Sequence, residues 1–221
     1  MKILKIITFF LPWFLRRKAL NSWFGFEIHP KASIGLSWIF PKKLIMAEGS
    51  RIDHFSVAIN LDSIEMREKS FIGRNNWITG FPTGSDSVHF KHQQDRKAAL
   101  FMDTFSSVTK HHHLDCTNII KIGKYATVAG YQSQLLTHSI NVVKNIQDSE
   151  PIDIGEYTFI GTNVVILGGA VLPAYSVLGA KSLLNKAYTE EWKLYGGVPA
   201  KTISDIPKNA AYFNRTDGYV Y

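Results

Sequence analysis

Apolar residues recur every sixth position through the last third of the chain. From Ile154 the steps fall on Ile160, Ile166, Leu172, Leu178 and Leu184, all aliphatic. Four residues beyond each come Thr158, Val164, Ala170, Ser176 and Ser182, all small or β-branched. Turn formers often follow the aliphatic: Gly155, Gly161, Pro173 and Gly179. An amphipathic helix repeats every 3.6 residues, and a lone two-residue strand alternation would not single out each sixth position. The pattern predicts very short strands joined by tight turns, each unit forming one flat side of a coil. Stacking the coils buries a ladder of aliphatics that no single coil could bury alone.

The same frame runs noisily through the front, over Ile28, Ile34, Phe40, Met46, Ile52, Ala58 and Ile64. It restarts at Ile72 and Ile78, then at Ile122 and Val128, with Ile140 and Ile146 in step. Residues 80–112 are rich in Gly, Pro, Ser, His and charge, lack the repeat, and predict a loop excursion from the coil; long excursions in compact domains are usually functional or disordered. A second frame shift falls at Gln147–Pro151. The expected organisation is an N-terminal amphipathic segment (1–27), a β-helix (28–185) and a C-terminal cap and tail (186–221), with Tyr188–Tyr195 forming a short capping helix.

Composition removes several alternatives. The 221 residues are 45% hydrophobic and 19% charged, as in ordinary globular proteins. One cysteine, Cys116, permits no internal disulfide. The formal charge of +7 is concentrated at the start, where Lys2, Lys5, Arg16, Arg17 and Lys18 precede the first acidic residue, Glu27. With no basic stripe across the body, nucleic acid is not an expected partner. Residues 1–18 mix those cations with Phe9, Phe10, Trp13 and Phe14, and lack the small-residue cleavage site of a secretory signal. They suit either an anionic membrane surface or packing against protein, with Pro12 dividing any helix.

The stretch from Ile154-Gly155 to Leu184, with Gly179-Ala180-Lys181-Ser182 inside it, followed by Gly196-Gly197-Val198-Pro199-Ala200-Lys201, resembles the hexapeptide-repeat acyltransferase family. Within it, the chain is most similar to the O-acetyltransferases of bacterial surface polysaccharides. The resemblance implies an all-β, left-handed parallel β-helix, a homotrimer with sites between prisms, and acetyl-CoA as co-substrate. Handedness comes from the resemblance alone, since parallel crossovers are generally right-handed. Lys181 departs from the family, which often has Gly there.

Acyl transfer to a hydroxyl needs a base, an oxyanion donor and a place for CoA. Thr137-His138 is similar to the family's catalytic Thr-His, and histidine titrates near neutral pH. Gln134 occupies a position where the frame expects an aliphatic, so the coil should be disturbed just before His138. His112 and Asp115 are further catalytic candidates, orienting the acceptor or His138. Adjacent residues on an extended chain face opposite sides, so His111-His112-His113 cannot all converge, and no metal is expected. Cys116 reads as structural. For CoA the candidates are Gly161, Gly179 and Ala180, where the backbone can be approached closely, with Lys186 and Lys201 as cations. Gly161 also offers its amide to the oxyanion. The expected function is O-acetylation of a sugar hydroxyl in the cytoplasm, at the membrane's inner face. Sugar N-acetyltransferase, non-catalytic trimeric scaffold and metal-dependent hydratase stand as alternatives.

Overall fold

The structure, a computed structural model, describes residues 2–85, 87–218 and 220. Seven coils stack into a three-faced prism. The first face pairs Glu27–Ile28, Lys43–Met46, Ser63–Met66, Ala99–Met102, Ile120–Ile122, Ile152–Ile154 and Val171–Leu172, all parallel. The second and third faces stack in the same sense, the third running from Trp38–Phe40 to Leu183–Leu184.

Inward residues form the predicted ladders. On the second face Ile34, Ile52, Ile72, Val108, Val128, Ile160 and Leu178 are buried in register. On the third the rungs include Ile78, Leu114, Leu135, Ile166 and Leu184. Gln134 is therefore no defect in the ladder. The turn before it holds one extra residue, so Leu135 is the inward rung and Gln134 points outward. Coil stacking also fixes certain turn residues. A Cβ on Gly73 would lie 2.0 Å from the Thr109 carbonyl oxygen, and one on Gly155 2.4 Å from the Ala174 amide.

Three expectations need correction. The first excursion spans only about 80–98, because Ala99–Met102 and Ser107–Val108 already belong to the fourth coil. Ile140 and Ile146 are not rungs: they lie on an antiparallel hairpin, His138–Asn141 with Ile146–Ser149, that leaves the coil after its fifth turn. The coincidence of spacing concealed it. Finally, Tyr188–Tyr195 forms no helix. Lys193–Gly196 adds to the second face beside Val177–Leu178, with Tyr195 fully buried on the Leu178 rung, and Lys201–Asp205 pairs antiparallel to it. An open sheet end offers unpaired backbone groups, and this segment covers them.

One corner carries a column of rings, Phe105, Tyr125, Tyr157, Tyr175 and Trp192, with centroids 4.5–5.4 Å apart. The tail straps along it: the Arg215 guanidinium sits 5.5 Å from the Tyr125 centroid and 5.6 Å from that of Tyr157, and the Tyr125 hydroxyl donates to the Thr216 carbonyl at 2.7 Å. At the opposite end two helices, α1 (Lys2–Phe10) and α2 (Trp13–Phe24), close the first coil. Leu20 joins the core, Phe9 packs on Trp38, and buried Arg16 donates to the carbonyls of Gly35 and Ser37.

Candidate active site

Both excursions leave the prism at the corner where the third face turns into the first. Asp62 anchors the first: its carboxylate accepts from the amides of Thr83 and Ala98, near the excursion's two ends, and pairs with Lys42 at 2.8 Å. Within it, Gln93 donates to Asp148 and to the Ser149 carbonyl, each at 2.8 Å, and accepts from the Ser149 hydroxyl at 2.7 Å. The excursion is thereby locked to the base of the hairpin. Gln93→Ala removes three hydrogen bonds worth about 1 kcal/mol each. Hydrogen exchange should show faster opening at 138–149 while the coil amides keep their protection.

His138 opens the hairpin, directly after the third-face strand Gln134–Leu136. Asp115 ends the strand one coil earlier, and its register partner is Leu136. Strand alternation points Leu114 inward and Asp115 outward, beneath the excursions, where it is 6% exposed. His138 Nδ1 meets Asp115 Oδ2 in a short contact. The other carboxylate oxygen accepts from the Thr117 amide at 3.1 Å and hydroxyl at 2.7 Å. Thr137 pins the approach, its hydroxyl donating to the Asp115 carbonyl at 2.7 Å. Phe90 stands edge-on to the imidazole, centroids 6.1 Å apart.

Burial opposes ionisation of Asp115, but the bonds from His138 and Thr117 outweigh it and hold the carboxyl below its usual range. The same bond raises the His138 value, against a smaller opposing effect of burial. An ionised Asp115 accepts a hydrogen bond from Nδ1–H, which leaves the Nε2 lone pair of neutral His138 available as a base. The imidazole lines a cleft of about 390 Å³ with Thr137, Asp148, Gly168 and Asn185. Arg96 braces this corner from behind. Its guanidinium donates to the carbonyls of Phe81 and Thr117, both at 2.5 Å, and lies 4.6 Å from the Phe90 centroid.

His112 stands apart. Its Nδ1 accepts from the Ser133 amide at 3.2 Å and its Nε2 meets the Thr109 hydroxyl at 3.0 Å, so both nitrogens are engaged inside the coil. Burial, with neighbouring His111 adding, lowers its pKa to about 4. The ring is therefore neutral near pH 7, and both of its nitrogens are held by groups of the coil itself. His111 and His113 lie on the outer side, with Asn75 3.2 Å from His111. Cys116 is fully buried, and burial, helped by Asp115, pushes its thiol well above the ordinary range.

The proposed CoA residues divide between two places. Gly161, Gly179 and Ala180 sit at the corner between the second and third faces, away from His138 in the same chain. The amides of Gly161 and Gly179 donate to Leu178 and Tyr195 carbonyls at 2.8 Å. Gly161 is thus no free oxyanion donor; it is glycine because a Cβ would lie 2.7 Å from the Ala180 amide. Lys186 follows Asn185 at the His138 corner and rests 4.9 Å from the Tyr188 ring. Lys201 is exposed and begins the terminal strand. Asp148, Gln93, Phe90, Arg96 and Thr117 escaped sequence reasoning, for no local motif marks residues brought together by two excursions.

No family model and no curated relative matches the chain. Among solved structures, the polysialic acid O-acetyltransferase OatWY superposes with a TM-score of 0.62 at 16% identity, over 81% of this chain and 84% of that one. A hexapeptide-repeat acetyltransferase of Vibrio cholerae, solved with acetyl coenzyme A, gives 0.48 at 19% identity, over 94% and 85%. The prism is a left-handed parallel β-helix. This β-helix is the architecture of the hexapeptide-repeat acetyltransferases, and the hairpin that leaves its fifth coil lines the cleft beside His138.

Proposed function

We propose that the protein is an acetyl-CoA-dependent O-acetyltransferase acting on a sugar hydroxyl of a cell-surface polysaccharide or its precursor, on the cytoplasmic side. The observation that carries this reading is the Asp115–His138 couple opening onto a cleft where the coil is interrupted. His138 Nε2 takes the acceptor hydroxyl's proton as that oxygen attacks the thioester carbonyl. The C–O bond forms, the C–S bond breaks, and His138 returns the proton to the departing thiolate. Asp115 orients the ring and stabilises the imidazolium between those steps.

The cleft suits the thioester arm of acetyl-CoA. It runs from His138 past Gly168, where a Cβ would lie 2.6 Å from the Thr137 carbonyl oxygen, to Asn185 beside the cation Lys186. Gly161, Gly179 and Ala180 complete such a site only when a second prism brings its other corner alongside, which a homotrimer does.

Thiol release from acetyl-CoA, screened across candidate glycans, tests the reading. A glycan that accelerates release and gains an ester-linked acetyl group supports it; turnover of amine acceptors alone would replace it. The rate should rise with pH through the titration of His138, with a midpoint above the ordinary 6.5 because Asp115 raises that value. Asp115→Asn should lower the midpoint and reduce kcat, since the raising bond to a carboxylate is gone. An unmoved pH profile would remove Asp115 from the mechanism.

A further inference from the structure

The helical cap wears its apolar side outward. Ile3, Ile6, Ile7 and Phe10 follow the i, i+3, i+4, i+7 spacing of one helix stripe, and they are 73%, 51%, 44% and 77% exposed. On the other side of α1, Thr8 is buried and Phe9 packs on Trp38. A surface helix of a water-soluble fold normally buries such a stripe; this one presents it. Phe14 and Leu15 of α2, on the side away from its buried Arg16 and Leu20, add further exposed apolar side chains at 63% and 42% exposure, and exposed apolar surface of this kind marks an interaction site.

The charge beside it selects the occupant. Lys2 and Lys18 are exposed, Lys5 lies 4.8 Å from the Phe40 centroid, and no acidic residue precedes Glu27, which itself faces Lys43 at 3.6 Å. Apolar side chains near lysines that pair with no acidic side chain among the described residues match the boundary between acyl chains and anionic headgroups. No helix among the described residues is long and apolar enough to cross a membrane, so the match is to a surface contact.

We propose that α1 and α2 dock this prism on an anionic lipid surface and so present the His138 cleft to an acceptor glycan tethered to that membrane. The second half rests on the acetyl-transfer reading; the lipid contact does not. His138 belongs to the fifth coil, four strand spacings or about 19 Å from the first coil beneath the cap. A sugar joined to a lipid through a short linker could reach that height.

Co-sedimentation with phosphatidylcholine vesicles, with and without phosphatidylglycerol, tests the contact. The full chain should bind the mixed vesicles at low salt, bind phosphatidylcholine alone more weakly, and detach as salt rises. Ile7→Ser with Phe10→Ser exchanges only exposed or half-exposed side chains and should weaken binding at least tenfold. Light scattering should show the same assembly size for both proteins. The proposal falls if the wild-type chain ignores mixed vesicles at low salt or if the double variant binds equally well. A changed assembly size in the variant would instead assign the stripe to protein contact. Once an acceptor is known, wild-type transfer should favour its lipid-anchored form over the free sugar, and the double variant should lose that preference. Equal rates on both forms would overturn the presentation role while leaving the vesicle result intact.

Discussion

His138→Ala is expected to slow acetyl transfer about 10²–10⁴-fold, the usual cost of losing a general base, while CoA affinity stays near the wild-type value. The imidazole is 40% exposed in its side chain and lies on an excursion, so its removal leaves every coil ladder intact. Asp115 keeps both bonds from Thr117 after the truncation, which limits the cost of its burial. The variant should therefore remain folded and assembled. Initial rates of thiol release at saturating acetyl-CoA, with binding measured separately by calorimetry, separate chemistry from cofactor capture. Near-native turnover on the true acceptor would overturn the assignment. Asp148, one of the two carboxylates that line the cleft with Glu150, is turned toward Gln93 and His92 and would not replace the imidazole.

Acidification from pH 7 to about 4 is expected to remove about 3 kcal/mol of stability through His112 alone. The gap between the ordinary imidazole value of 6.5 and about 4 corresponds to that energy. In the folded chain Nδ1 accepts the Ser133 amide and the ring is 2% exposed, so protonation requires breaking that bond and burying a charge. The unfolded chain takes up the proton near pH 6.5. The contribution is therefore fully present above 6.5 and is lost as pH falls toward the folded-state value. His138 has the opposite sign: its raised value gives stability below 6.5 that fades as pH rises. Comparing urea unfolding of wild type and His112→Gln at pH 7 and pH 4.5 isolates the first effect. The variant should start less stable and lose less on acidification. Equal pH dependence in the two proteins would show that His112 is solvated.

Repeat length, face assignment and the coil fold were legible in the chain because each rung is chosen by one local requirement. An inward position must be apolar and the turn before it compact, whatever happens elsewhere. Ile154 through Leu184 state this rule without interruption, and the structure places all six residues inside. The end of the first excursion was less legible, since Leu100, Met102 and Val108 resume the ladder among polar neighbours. Ile140 and Ile146 met the spacing rule by chance and instead belong to a hairpin, a distinction made by antiparallel pairing that periodicity does not encode.

His138 could be singled out by its place before an interruption, but its partner could not be assigned. Asp115 and His112 looked equivalent in sequence, three residues apart on one strand segment. Alternation across the strand and the cover supplied by both excursions separate them. One side chain turns into the coil, where burial keeps it neutral and Ser133 and Thr109 engage its nitrogens; the other turns out and holds the imidazole of the next coil. The sequence alone determined the prism, its ladders and the positive, aromatic character of residues 2–18. Tertiary structure decided which carboxylate meets His138, which glycines serve packing, and which side of α1 faces water. Those outcomes depend on contacts between residues 19 to 56 positions apart, whose geometry is set by coil stacking and by the meeting of two excursions.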